Sequence, residues 1–566
     1  MRGPREIVHL ALRIPTLLRT VRRLRWPQAR AQVHHALVGI GKPRSTSGDP
    51  PRLRIRAPHT PYLPPPAHVR AFGSGRFELL GMPFETPAGD FWSAAARAPA
   101  RGPLFAYHLH QHEYLRCSEL PASERALVIA DWIRCHRSGI GWDPHPTGLR
   151  LLAWGKLATT AGLLEPSDLD EAVWLRSFAD QAETLSQNLE IRLQANHLLS
   201  NLLCVVAAGM WVESPESAGW LGRADLLCDE IAAQIRPDGG HEERSPMYHA
   251  LLLENILDLL NLCRAAPDRA PEGLTEFLSD TSERMLAALE ILSHRDGRIA
   301  LFADTAFDLA PEPAALRSYA ERLGVAVGDS GATRGSTCLA QSGYVRLERG
   351  DWLLLASVGE PSPPHQPGHA HCDALAFELS LAGRRLVTDT GVFEYLPGTR
   401  RQIARSTASH ATLQIDGEEQ AEIWAAHRVG GRPTVELTAF SDSGEAEATC
   451  RGWSRRGTLH RRRYRVIDAG AEIEDWIEGP SREIWSRLPI GPGWSVELEA
   501  SSSPRAFCRA LEQPGLSVEI ELPAAFAWRL SQGAYYPSFG REIERPVLIG
   551  IGRACAGART RFRRVD

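Results

Sequence analysis

The chain has 566 residues, 43% of them hydrophobic, which is enough to bury large cores and to form two or three domains. Its 64 basic and 68 acidic side chains give a net charge of −4, which argues against a dedicated nucleic-acid-binding protein. The ten cysteines include no C-x-x-C pair, a usage typical of reduced, buried thiols rather than of a disulfide framework.

Residues 1–42 predict a basic helical segment. The first 30 residues carry eight Arg and one Glu, and Arg13 interrupts what would be the apolar region of a signal peptide, so we expect no cleavable signal and a cytoplasmic location. A basic amphipathic helix can lie on an anionic membrane surface, and packing against the protein body is the alternative. No apolar run reaches the ~20 residues needed to cross a bilayer.

A proline-rich connector and lead-in follows over residues 43–100, where the prolines favour extended chain. Residues 101–330 are predicted to be helical. From Ser167 the apolar residues recur at nearly 3.6-residue spacing, and the stretch 195–212 is apolar almost all round. Outer amphipathic helices that alternate with inner apolar ones indicate helical hairpins arranged as an incomplete α/α toroid.

Beyond residue 335 the pattern changes to short alternating strands separated by turn residues. Four segments are predicted to be hairpins: 343–358, 374–391, 411–424 and 460–479. This pattern continues to residue 566 and favours a large antiparallel β-sandwich over an α/β sheet. The predicted fold class is therefore multidomain α+β, with the toroid first and the sandwich second.

The densest polar cluster lies within residues 363–417. We expect His369 and His371, at a strand entrance, to point to opposite faces, so that one binds a metal while the other faces a cleft. Asp389 and His410 follow at later strand ends, and two imidazoles with a carboxylate suit Zn²⁺. Hydrogen-bonded histidines inside a sandwich are the alternative interpretation.

Polar pairs also open the inner helices. Asn196 and His197 begin one apolar helix, and Tyr248 begins the next, shortly after Glu243. Helix mouths in a toroid face its central cleft, although a cap and a core histidine would explain the first pair equally well. Trp142 lies in an aromatic loop that could line a sugar cleft, with structural capping as the alternative.

These segments resemble the heparinase II/III superfamily of polysaccharide lyases, which includes the oligoalginate lyases. The resemblance rests on residues 368–424 and is supported by 142–154, 238–249 and the Asn196-His197 pair. It implies an incomplete helical toroid followed by an antiparallel β-domain, in agreement with the pattern above. One local departure is Ala411, where the family usually has Asn after the last histidine of its metal site.

The resemblance also implies roles for individual residues. Asn196 and His197 would neutralise the substrate carboxylate, with Arg405 in support. Tyr248 and His369 would serve as acid and base in an order that the sequence leaves open, and Tyr395 would be a second cleft tyrosine. The expected substrate-binding residues are Arg405, Trp142 and Glu243. One divalent metal, expected to be zinc and mainly structural, would be held by His371, Asp389 and His410.

The predicted function is cleavage of a uronic-acid-containing glycan by β-elimination, which leaves an unsaturated uronate. The expected partner is an acidic polysaccharide or oligosaccharide. Two alternatives stay open: an inverting glycoside hydrolase that uses Glu242 and Glu243, and a non-catalytic glycan-binding or assembly protein. A periplasmic location is the alternative that the resemblance suggests, and the oligomeric state stays open.

Overall fold

Helices and strands occupy separate parts of the chain in the computed structural model, which describes residues 14–39, 41–85, 102–164, 169–328, 335–453, 457–480, 483–553 and 556–565. The helices of the first part are Gly102–Gln111, Ala122–Cys135, Pro144–Thr159, Glu171–Gln187, Ala195–Trp211, Ser217–Leu221, Ala224–Gln234, Pro246–Ala265, Leu274–Ile291 and Pro313–Arg322.

The inner helices owe their position to largely apolar sequences. Of the residues of Ala195–Trp211, 14 of 17 are buried, and of Pro246–Ala265, 15 of 20, whereas Glu171–Gln187 is buried on one face only. The latter helix begins after Asp170, whose carboxylate accepts hydrogen bonds from the amides of Ala172 and Val173. The predicted start at Ser167 lies outside the described residues. Inner and outer helices together form the predicted toroid.

The strands form three larger antiparallel sheets in the second part of the chain. In spatial order, the five-stranded sheet contains Arg384–Val387, Phe377–Leu381, Trp352–Ser357, Tyr344–Arg349 and Thr337–Leu339. The four-stranded sheet contains Leu413–Ile415, Ile484–Pro489, Arg541–Gly552 and Ala527–Ser538. The eight-stranded sheet contains Thr434–Ser441, Glu445–Arg451, Leu459–Ile467, Gly470–Glu478, Ala556–Val565, Ser517–Glu521, Arg505–Ala510 and Trp494–Glu499. The predicted fold class is confirmed.

Three of the four predicted hairpins form, and the one over 411–424 does not. Leu413–Ile415 pairs with the distant strand Ile484–Pro489, and Ile423–Trp424 pairs with Arg428–Val429. The Asp416-Gly417 dipeptide does reverse the chain, since both residues have positive φ. The long-range pairing is preferred because it buries Leu413 in the β-domain core.

The predicted connector contains a three-stranded sheet that the sequence analysis missed: Val69–Gly73, Arg76–Leu79 and Met82–Glu85. Earlier in the connector, Arg52–Leu53 pairs with Val212–Glu213 and so ties the chain to the end of an inner helix. The connector is thus part of the folded body rather than a free spacer.

The N-terminal segment is helical over residues 14–21 and over Trp26–Val38. It packs on the protein body, which is one of the two expected interpretations. Arg19 and Thr16 bind the carboxylate of Glu422, and the Gln28 side-chain amide donates to the carbonyl of His365 at 3.1 Å. None of the helices in the described ranges combines the length and hydropathy that a membrane crossing requires.

Candidate active site

The candidate site is built around Asp304, a buried residue in the segment between the helices Leu274–Ile291 and Pro313–Arg322. One carboxylate oxygen contacts His369 Nδ1 at 2.9 Å and the other contacts His371 Nε2 at 2.8 Å. The guanidinium of Arg401 donates to both oxygens. Burial alone would raise the pKa of Asp304, but Arg401 and the two histidines hold that pKa well below its usual value, so Asp304 is a carboxylate.

The expectation that His369 and His371 point to opposite faces is wrong. Residues two apart in a strand share a face, so strand alternation could not have separated them. Moreover, both lie in a loop that precedes the strand Phe377–Leu381, and both contact the Asp304 carboxylate. They differ instead in burial, because His371 is fully enclosed while His369 reaches the cleft beside Tyr248.

The structure brings the two predicted tyrosines together with His369. The hydroxyl groups of Tyr248 and Tyr395 lie 3.1 Å apart, and the ring of Tyr248 lies on that of His369 with 3.9 Å between centroids. The Arg401 guanidinium lies 5.0 Å from the centroid of the Tyr395 ring. Burial raises the pKa of both tyrosines well above the usual value, so both are protonated at neutral pH.

Asn196, His197 and Glu243 lie on the helical side of the same cleft. The Glu243 carboxylate accepts a hydrogen bond from the backbone N–H of Asn196 at 3.1 Å and lies 3.6 Å from His369 Nε2. Asn196 Oδ1 is buried without a hydrogen-bond partner. His197 Nδ1 contacts Glu190 at 3.1 Å. Burial would lower the pKa of His197, but Glu190 and Glu243 outweigh it and raise that pKa.

Strained backbone borders this side of the site. Gln194 and Ala195, directly before Asn196, have φ of 59° and 47°. Arg244 beside Glu243 and Ala303 beside Asp304 have φ of 58° and 53°. Positive φ in residues other than glycine costs on the order of 1–3 kcal/mol each and is concentrated at functional sites. The strain supports a functional rather than a merely structural role for this cluster.

A cavity of about 200 Å³ opens below the two tyrosines. Its lining combines the site residues Asn196, Tyr248 and Tyr395 with His145. Charged side chains also line it, Glu113, Lys156 and Glu254 among them, and Lys156 is paired with the buried Asp258.

Two predicted substrate-binding residues have other partners in the structure. Arg405 is buried, and its guanidinium donates to the backbone carbonyls of Ala370, Ala425 and Ala426, so it holds loops together. One turn earlier in the helix Thr399–Arg405, Arg401 is the arginine that reaches the site. Trp142 packs its ring on Trp132 and donates its indole N–H to the carbonyl of His136 at 3.1 Å, contacts that fit the structural alternative, while its contact with a substrate stays a prediction.

The predicted metal ligands lie together, but not as three converging ligands. Asp389 contacts His410 Nδ1 at 2.8 Å, and the rings of His371 and His410 are 5.5 Å apart between centroids. His371 Nδ1 and His410 Nε2 are both buried without hydrogen-bond partners. Metal-bound histidines usually donate their other ring nitrogen to a carboxylate. The residues therefore fit a metal held by the two free nitrogens, with Asp304 and Asp389 orienting the rings from behind.

A different cluster offers three converging ligand atoms. Within the described ranges, one group of His, Cys, Asp or Glu side chains has three ligand atoms within 4.8 Å of one another, and it consists of His145, Glu190 and His197. Burial lowers the pKa of His145 to about 4, so its ring is neutral at pH 7. Of these three residues, only His197 was predicted from the sequence to be a site residue.

Fold and site together define a helical toroid followed by an antiparallel β-domain, with polar groups from both parts meeting at Asp304. Residues 158–308 match the family description "Heparinase II/III N-terminus", and residues 331–544 match "Heparinase II/III-like, C-terminal". The chain belongs to the heparinase II/III family. The match confirms the predicted enzyme class, a polysaccharide lyase.

The chain is also similar to individual relatives and to solved structures. A heparin-sulfate lyase of Pedobacter heparinus is 26% identical over 52% of this chain and 48% of its own length. FtsZ-localized protein C of Caulobacter vibrioides is 27% identical over 84% of this chain and 82% of its own. A crystal structure of heparinase III matches with a TM-score of 0.65 at 15% identity, over 82% of this chain and 78% of that one, which shows a common fold.

Proposed function

We propose that the protein cleaves a uronic-acid-containing glycan by β-elimination, with His369 as the base and Tyr248 as the acid. The observation that carries this proposal is the buried Asp304 carboxylate that contacts His369 Nδ1 at 2.9 Å, directly beside the Tyr248 ring. Heparin-sulfate lyase relatives support an acidic polysaccharide as the substrate class.

The proposed roles follow from protonation and hydrogen bonding. Asp304 accepts the Nδ1–H of His369, which fixes the tautomer and leaves Nε2 free to take the proton from C5 of the uronate. As the C4–C5 double bond forms and the C4–O bond breaks, the protonated Tyr248 hydroxyl supplies a proton to the leaving oxygen. The Tyr395 hydroxyl, 3.1 Å from that of Tyr248, positions it. Asn196 and His197 lie where they could bind the carboxylate as negative charge spreads onto it.

The geometry disfavours the inverting-hydrolase alternative. Glu243 is directed to Asn196 and His369, whereas Glu242 lies 3.7 Å from His365. The two carboxyl groups therefore serve different neighbours and do not flank one glycosidic bond. The assembly-protein alternative keeps one observation in its favour, the similarity to a protein named for localisation to FtsZ.

A panel of uronate-containing glycans tests the proposed reaction. We expect one or more members to yield the ultraviolet absorbance of an unsaturated uronate during incubation. New reducing ends without that absorbance would indicate a hydrolase. Binding by calorimetry with neither signal would favour the assembly-protein alternative.

We also propose a structural zinc ion at His371 and His410, with Asp389 behind His410. Such an ion would clamp the loop of His371 to the start of the strand Leu413–Ile415. His371→Ala is expected to lose about one equivalent of zinc and to lower the melting temperature, because one of the two protein ligands is removed. His369→Ala should keep the zinc and lose the activity. Elemental analysis and thermal unfolding measure both, and equal metal loss in the two variants would contradict the proposal.

Peripheral membrane contact of the N-terminal segment is a further proposal, made together with a cytoplasmic location. The segment from 14 to 38 has five Arg and neither Asp nor Glu. Its large apolar side chains are exposed: Ile14, Leu17, Leu18, Val21, Trp26, Val33, Leu37 and Val38. Trp26 is 78% exposed and Leu37 81%. Exposed apolar residues among arginines suit the interface of an anionic bilayer.

Vesicle co-sedimentation tests this contact. The protein is expected to pellet with vesicles that contain phosphatidylglycerol and far less with pure phosphatidylcholine, and added salt should weaken the binding. The double variant Trp26→Asp, Leu37→Asp should lose it. Leu511→Asp is the matched control, since Leu511 is 61% exposed on the β-domain. Equal pelleting of all three proteins would show that the segment is not the contact.

A further inference from the structure

His145, Glu190 and His197 form a cluster on the helical wall of the cleft, and we name it the wall triad. The three residues come from different elements: the first turn of Pro144–Thr159, the loop after Glu171–Gln187, and the first turn of Ala195–Trp211. His197 Nδ1 lies 3.1 Å from Glu190 Oε2, and the two imidazole rings are 5.0 Å apart between centroids. The elements of the toroid thus converge on one small volume.

The carboxylate of the wall triad is held in place by a buried amide. Asn201 donates from Nδ2 to Glu190 Oε2 at 3.3 Å, and its Oδ1 accepts the backbone N–H of Glu190 at 2.9 Å. Both residues are buried. A ligand carboxylate that is itself hydrogen-bonded is typical of a preorganised metal site. His145 Nδ1, by contrast, is buried without a partner, so a ring nitrogen is available.

The donor set matches a particular kind of metal site. Two imidazoles and one carboxylate are the ligands of open zinc sites, in which the fourth position is left for water or substrate. Of the wall triad, His145 lines the cavity below Tyr248 next to Asn196, so the triad borders the cleft. The other predicted zinc site, at His371, is enclosed.

The charges near Asn196 supply an independent argument. Glu190 contacts His197 Nδ1 at 3.1 Å and Glu243 accepts the backbone N–H of Asn196 at 3.1 Å, so two carboxyl side chains border the place where an anionic sugar would bind. Like charges in a poorly solvated site repel strongly. A divalent cation would offset them, and a metal ion is often the largest local charge in such a site.

We propose that the wall triad binds a divalent cation of the zinc class, whose open position takes the carboxylate of the substrate uronate, so that His197 acts on that carboxylate through the metal rather than directly. The second half of this proposal rests on the proposed function. The first half concerns metal binding alone and stands without it.

Cobalt binding is the experiment that tests the first half. Protein stripped of metal is titrated with Co²⁺, and its visible absorption and calorimetric stoichiometry are recorded. Wild type and His371→Ala are both expected to show a tetrahedral Co²⁺ spectrum from the wall triad. His145→Ala and Glu190→Gln should each lower the affinity of that site at least tenfold. Glu190→Gln keeps an acceptor for Asn201, so it remains informative if His145→Ala folds poorly. An unchanged titration in both wall-triad variants, or no binding by His371→Ala, overturns the proposal.

Glucuronic acid added to the Co²⁺ form tests the second half. A shift of the visible spectrum is expected, because a carboxylate replaces water on the metal. Methyl glucoside, which lacks the carboxylate, should cause none. A visible spectrum that is unchanged by either sugar would mean that the metal does not bind the substrate. That result would overturn the assignment of the uronate carboxylate to the open position. Since neither titration measures turnover, failure of the lyase proposal in the glycan panel is a separate result.

Discussion

Tyr248→Phe is expected to lower kcat on a cleaved glycan by about 10²–10⁴-fold, the usual contribution of a general acid or base. The substitution removes only the hydroxyl group, which is the proposed proton donor to the leaving oxygen. The ring still packs on His369, whose centroid lies 3.9 Å away, so glycan affinity should stay within about threefold of wild type. The lost hydrogen bond to Tyr395 costs about 1 kcal/mol of folding stability, too little to unfold the protein.

Two further variants make this result specific. Tyr464→Phe removes a buried hydroxyl that donates to the carbonyl of Leu375 at 2.9 Å in the β-domain core, and it should leave kcat unchanged. Tyr395→Phe should reduce kcat less than Tyr248→Phe, because Tyr395 positions the acid. Initial rates of unsaturated uronate formation, with calorimetric binding to each variant, provide the measurement. Near-normal turnover by Tyr248→Phe would transfer the acid role to Tyr395.

Secondary structure could be predicted from the sequence where a local pattern of apolar residues determines it. Apolar periodicity predicted an outer helix, stretches that are apolar almost all round predicted the inner helices, and period-two alternation predicted three hairpins. Tyr248, Tyr395 and His369 were identified through a family resemblance, and the structure brings them together. Their mutual distances could not be read from the sequence, because they come from a toroid helix and from two loops of the β-domain.

Asp304 was missed because nothing around it forms a motif. It lies in a loop, and its importance comes from three partners that are 65 to 97 residues away along the chain. Arg405 was chosen over Arg401 for a related reason. The two arginines are four residues apart in one short helix and are chemically identical, so only their surroundings distinguish them. One meets Asp304, and the other meets backbone carbonyls.

Arg401→Leu removes the guanidinium that pairs with the buried Asp304 carboxylate. The substitution is expected to lower the free energy of unfolding by about 3–5 kcal/mol. Removal of one partner from a buried pair leaves an uncompensated charge, which is why the cost is large. Arg400→Leu is the matched control, because its neighbouring guanidinium is half exposed and pairs with Glu542 at 2.8 Å. Loss of an exposed pair costs about 1 kcal/mol or less. Urea unfolding at pH 7 measures both, and equal stability losses would contradict a special role for Arg401.

The pH dependence of folding stability is a second test of the pair formed by Asp304 and Arg401. In the wild type the folded pKa of Asp304 is held well below its unfolded value of about 3.9, so its contribution to stability is present above that value and is lost as the pH falls through the folded pKa. In Arg401→Leu the main opposing cation is gone and burial raises the pKa. Acidification should therefore remove less stability from the variant than from the wild type, because the folded and unfolded pKa values of Asp304 lie closer together or in reversed order, and the stability difference between the two proteins should narrow as the pH falls. Urea unfolding at a series of pH values measures this difference, and a difference that stays constant with pH would mean that Arg401 does not set the ionisation of Asp304.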